Sequence, residues 1–141
     1  MINKYLLLLP LFSLAAVAHA EPNLQDGMWE ITSKMEIPGM PAAAMKPMKM
    51  TQCLTKKDAV PAPHGNDKNN ACKITSTKVV GNSVTWAMQC RGKEGDSDSV
   101  GNITYSGNSF TGVTKMNTSM KGQGSMEMTQ HMSGKRIGDC K

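Results

Sequence analysis

Hydrophobic and polar residues alternate with a period of two along most of the chain, and no window sustains a helical period. From Met28 to Ile37, Trp29, Ile31, Met35 and Ile37 share one face with Ser33, while Glu30, Thr32, Lys34 and Glu36 line the other. This pattern predicts a half-buried strand. Pro38 ends it. The segment Pro38 to Lys49 carries three prolines, three alanines and three methionines without a period, which predicts a long mobile loop. Met50 to Leu54 predicts a second, short strand. Thr55 is placed to cap one helical turn with Asp58 in it, and Pro61 to Ala71 reads as a polar loop.

Two hairpins follow. Gly81-Asn82-Ser83-Val84-Thr85 and Gly107-Asn108-Ser109-Phe110-Thr111 share one pattern, and Gly-Asn is a two-residue hairpin signal because both residues tolerate positive φ. A loop at Gly81-Asn82 pairs Val79 with Val84, Thr77 with Trp86 and Thr75 with Met88, leaving Val84, Trp86, Met88 and Cys90 on one face. A loop at Gly107-Asn108 pairs Tyr105 with Phe110 and Ile103 with Gly112, a large residue over a glycine. The last strand starts near Ser125, with Met126, Met128, Gln130 and Met132 on one face and Glu127, Thr129, His131 and Ser133 on the other. Seven short strands joined by turns predict an all-β fold, a single small antiparallel β-barrel or sandwich forming one domain over 21–141.

The N-terminus changes the picture. Lys4 supplies a positive start, Leu6 to Val17 is nearly unbroken in apolarity, and Ala18-His19-Ala20 fits the small-x-small cleavage rule. Residues 1–20 therefore predict a signal peptide cleaved after Ala20. The stretch is shorter than the roughly 20 apolar residues of a membrane span, and nothing later approaches that length, so a membrane-spanning protein is not expected. Export makes Cys53, Cys72, Cys90 and Cys140 candidates for two disulfides. Of the three possible connectivities, Cys53–Cys72 with Cys90–Cys140 is favoured because Cys53 and Cys72 flank one polar loop. Loop entropy assigns these bonds about 3 and about 4 kcal/mol.

Composition sharpens the need for such bonds. Beyond residue 20 the chain holds two leucines, five isoleucines and six valines against twelve methionines, so methionine is expected to supply much of the buried volume. Methionine is flexible and specifies packing weakly. Fifteen basic against eleven acidic residues leave a net charge of +4 after residue 20. That suits a mildly basic surface or attraction to anionic envelope material. The basic residues are scattered, which excludes nucleic acid as the expected partner.

Catalytic chemistry has little to build on. Beyond the leader the histidines are His64, between Pro63 and Gly65, and His131, on the polar side of its strand. There is no G-x-S-x-G elbow, H-E-x-x-H or P-loop. Glu94, Asp96 and Asp98 form a carboxylate cluster whose ordinary reading is a solvated turn. None of the cysteines forms C-x-x-C, so neither a redox site nor a zinc ribbon is suggested. No cofactor is expected. Methionine carries the one sharp alternative, since thioether sulfur suits Cu(I). Met126, Met128 and Met132 have the spacing of a core-facing strand. Met40, Met45, Met48 and Met50 crowd the loop and read as an adaptable apolar flap or as a soft-metal or ligand contact.

Several segments carry a resemblance. Gly27-Met28-Trp29-Glu30-Ile31-Thr32, Gln52-Cys53-Leu54-Thr55, Gly81 to Trp86 with Cys90, Ile103 to Gly107 and the closing Ser133 to Cys140 resemble an exported bacterial family catalogued as domain of unknown function 3617. The likeness covers nearly all of the chain beyond the leader. It implies a periplasmic, four-cysteine protein with no assigned activity, cofactor or catalytic residues. The resulting expectation is a non-catalytic periplasmic binding domain for a small apolar ligand or an envelope partner, gripped near Met40 to Met50. Methionine-based copper binding and a structural envelope role without ligand are the alternatives.

Overall fold

A computed structural model describes residues 21–62 and 70–141. The signal-peptide reading of residues 1–20 and the candidate His64 lie outside them. Seven strands form: β1 (Gly27–Glu36), β2 (Met48–Leu54), β3 (Asn70–Val80), β4 (Ser83–Gly92), β5 (Gly95–Tyr105), β6 (Ser109–Met120) and β7 (Gly124–Gly138). They make one antiparallel sheet in the order β2-β1-β7-β6-β5-β4-β3. β3 to β7 run as an unbroken meander, and β1 joins its far side with β2 outside it. The edges β2 and β3 do not pair, so the sheet is not closed into a barrel. No helix of the described residues is long and apolar enough to cross a membrane.

The elements expected from alternation form with extended boundaries. β2 begins at Met48 rather than Met50, and the segment expected to be loop contains a 3-10 turn at Ala42–Ala44. Asp96 and Asp98, expected in a turn, lie on β5 opposite Arg91 and Gln89. Both hairpin loops carry positive φ at glycine alone, 57° at Gly81 and 73° at Gly107. Glycine enters this region without steric cost, so the first loop residue makes the reversal in each hairpin. Asn82 and Asn108 do not need the left-handed region.

The second hairpin has the expected register, Tyr105 opposite Phe110 and Ile103 opposite Gly112. The first keeps Val79 opposite Val84 and Thr77 opposite Trp86, then shifts at a bulge between Ile74 and Ser76. Met88 therefore faces Ile74, not Thr75. The extra residue reverses the parity of β3, which turns Ile74 toward the core and lets Thr75 donate its hydroxyl to the Ala87 carbonyl at 3.2 Å.

The same geometry corrects the disulfide pairing. The bonds are Cys53–Cys140 and Cys72–Cys90. Cys53 and Cys72 sit on the two opposite edge strands, β2 and β3, and each faces a different partner. Past the bulge Cys72 lies directly opposite Cys90. Met28 of β1 pairs with Cys53 on one side and Gly138 on the other, so the chain end brings Cys140 around β1 to Cys53.

The core is aromatic. Leu24, Trp29, Ile31, Ala59, Val84, Trp86, Ile103, Tyr105 and Phe110 are buried together. Trp29 packs against Phe110 with ring centroids 5.5 Å apart, and Tyr105 meets the same ring edge-on at 5.8 Å. Three large side chains each lie over the glycine opposite them: Trp86 over Gly101, Ile103 over Gly112 and Phe110 over Gly134. None of the twelve methionines beyond residue 20 is buried. Met88 and Met132 pack partly against the core. The expectation that methionine fills the interior is thus overturned: four aromatic rings supply the volume, and glycines make room for them.

Candidate functional site

β1 ends where Pro38 removes a ladder donor, and the chain turns back with the Met40 amide donating to the Ile37 carbonyl at 3.1 Å. Gly39 takes a positive φ of 84° in that turn. The Ala44 amide then bonds the Pro41 carbonyl at 2.9 Å, closing the 3-10 turn before β2. This return path folds Met40 and Met45 over the end of β1. Between them and Met35, Ile37 and Thr129 lies an open cleft of about 450 Å³. Its walls are largely thioether, alkyl and prolyl groups. Such soft, conformationally adaptable walls suit apolar ligands of variable shape.

The four methionines expected to act together are divided. Met40 and Met45 line the cleft. Met48 and Met50 stand on β2 opposite Ser33 and Ile31, on the core side of the sheet but 60% and 47% exposed. Met35, outside the expected group, joins Met40 and Met45 at the cleft. Alternation had placed Met35 only on the buried face of its strand.

At the cleft rim, the Glu36 carboxylate lies 3.5 Å from the Lys34 ammonium and 3.3 Å from His131 Nε2. His131 is half-exposed and on the face opposite the core. Lys34 stands directly opposite it on β1 and shares the Glu36 carboxylate, and among the described residues no serine, threonine or cysteine side chain hydrogen-bonds to it. Asp98 and Asp96 are held by Arg91 at 2.9 and 3.9 Å. No group of three His, Cys, Asp or Glu side chains among the described residues could hold a metal ion.

A second methionine cluster lies on the core-side face at the far end of the sheet from the aromatic core. Met116 of β6 is directly opposite Met128 of β7, and Met126 follows two residues before Met128 on that face. Met88 sits in the same row, separated from Met116 by Ser99 of β5. Met126 and Met120 are each 41% exposed. Alternation identifies the face of Met126, Met128 and Met132. Bringing Met116 beside them requires the register set by the three-residue loop between Met120 and Gly124.

A family model described as "Protein of unknown function (DUF3617)" matches residues 24–140. No curated protein and no solved structure matches the chain.

Proposed function

The chain belongs to the DUF3617 family, and on that premise we propose that it is an exported, non-catalytic binding domain of the periplasm that holds a small apolar ligand in the cleft under Met40 and Met45. The cleft carries this reading. It is concave, walled by Met35, Ile37, Met40 and Met45, and about 450 Å³ in volume, within the range of small-molecule sites. The leader-like residues 1–20 and the two disulfides support export, since such bonds persist in oxidising compartments. In this reading the sheet wraps around the aromatic core in a barrel-like or sandwich-like bend. Trp29 of β1 meeting Phe110 of β6, two strands away, supports that bend.

The test is uptake of the fluorescent apolar probe N-phenylnaphthylamine by the purified protein. Saturable binding that is lost in Met40→Asp and Met45→Asp, with unchanged thermal midpoint, is the expected result. Equal binding by wild type and both variants places the probe elsewhere and defeats the proposal.

A further inference from the structure

We propose that Met116, Met126 and Met128 form a thioether site for a soft monovalent cation, Cu(I) in biological chemistry and Ag(I) as its redox-silent counterpart. The site is distinct from the Met40–Met45 cleft and does not rest on the ligand reading. Met116 and Met128 are directly opposed across β6 and β7. Directly opposed Cβ atoms stand roughly 5 Å apart and diagonal neighbours roughly 7–8 Å apart, so three long methionine side chains can bring their sulfurs together.

Two observations separate this cluster from ordinary packing. First, the interior is filled by aromatic rings, and these methionines are left half-buried or, at Met126, 41% exposed. The sulfurs remain within reach of an ion from solvent. Second, the surrounding positions on that face are neutral. Gln130, Thr114, Ser99 and Thr118 adjoin the cluster, while Lys115, Asn117, Glu127 and Thr129 alternate onto the other face. A face with thioethers and no carboxylate disfavours hard cations and favours a soft one. The cysteines cannot compete, because all four are in disulfides.

The experiment titrates the purified protein with Ag(I) by calorimetry and with Cu(I) against a competing chelator. One equivalent should bind, and the variant Met116→Leu/Met126→Leu/Met128→Leu should lose at least tenfold in affinity. Leucine nearly conserves volume, so the thermal midpoint and N-phenylnaphthylamine uptake should hold. Met126→Leu alone, at the most open position, should weaken binding in a protein whose fold is not in question. Absence of binding to wild type, or unchanged affinity in Met126→Leu and the triple variant, overturns the site. Loss on Met35→Leu/Met40→Leu/Met45→Leu instead would move the cation to the cleft and also overturn it.

Discussion

The hydroxyl of Tyr105 donates a buried hydrogen bond to the Ala59 carbonyl at 2.9 Å, joining β5 to the short turn that follows β2. That turn is held by its own cap. The Thr55 amide and hydroxyl both donate to the Asp58 carboxylate, at 2.7 and 2.8 Å, and the Lys56 amide donates to Asp26 at 2.7 Å. A polar scaffold at the surface thus aims one carbonyl inward to satisfy the tyrosine of the aromatic core. Tyr105→Phe should cost about 1–2 kcal/mol, since it leaves the Ala59 carbonyl without its partner. Chemical denaturation checks this.

The burial of Tyr105 predicts an alkaline transition. Burial, and secondly the charge of Asp58, push the Tyr105 phenol up to about 12. The folded state keeps a proton that the unfolded chain releases near pH 10. The associated stability is complete below about pH 10 and is lost as pH rises toward about 12. Denaturation midpoints of wild type should fall across that interval, and those of Tyr105→Phe should fall less. Parallel curves would remove Tyr105 as the cause.

Glycine opposite a large side chain makes a third prediction. A Cβ on Gly134 would lie 2.0 Å from the Phe110 ring, and one on Gly101 would lie 2.1 Å from the Trp86 ring. Neither ring can retreat, because each is packed in the core. Gly134→Ala and Gly101→Ala should each lose roughly 1–3 kcal/mol or more by overpacking. Shrinking the ring should relieve part of this, so Gly134→Ala with Phe110→Leu should be less destabilised than the sum of the single changes. Additive losses would show that contact with Phe110 is not what Gly134 avoids.

The disulfides differ in what they should contribute. Cys72–Cys90 staples one hairpin with a sequence separation of 18, and Cys53–Cys140 closes a loop with a separation of 87 that runs from β2 to the chain end beyond β7. Loop entropy gives about 3 kcal/mol for the first and roughly 4.5 kcal/mol for the second. Replacing Cys53 and Cys140 by serine should therefore lower the thermal midpoint more than replacing Cys72 and Cys90. It also frees the end of edge strand β2. Mass spectrometry of unreduced peptides should recover Cys53 linked to Cys140; a Cys53–Cys72 peptide would contradict the pairing.

Period-two alternation made β1, β4 and the face of Met126 to Met132 legible, because each strand has one wet side. Tyr105 opposite Phe110 followed from a two-residue loop, where a short connection leaves one register. The bulge at Ile74 was not legible, since it rests on which of Ile74 and Thr75 the finished core accepts. The disulfide pairing depends on which strands become edges, and β1 inserting between β2 and β7 is a long-range event with no local signature. Methionine misled for a related reason: residue counts give the volume on offer. Cross-strand Gly101, Gly112 and Gly134 decide that tryptophan, isoleucine and phenylalanine fill the interior instead. Crowding groups Met40, Met45, Met48 and Met50 together, but β2 carries Met48 and Met50 away from the cleft, and Met35 joins Met40 and Met45 only through the turn at Gly39.

Ligand capture in the cleft should register as stability. A ligand that binds only the folded protein adds about 2.7 kcal/mol at a concentration of one hundred times its Kd. Saturating N-phenylnaphthylamine should raise the denaturation midpoint of wild type, and Met45→Asp should abolish the rise without shifting the unliganded midpoint. Met45 is only partly buried, on a segment outside the aromatic core, so a carboxylate there faces water in the free protein and meets the ligand in the complex. Met48→Asp provides the contrast. Met48 is 60% exposed on β2 and outside the cleft, so its variant should keep the full rise. Equal losses in both variants would mean that the probe lies along the methionines of β2 rather than beneath Met40 and Met45.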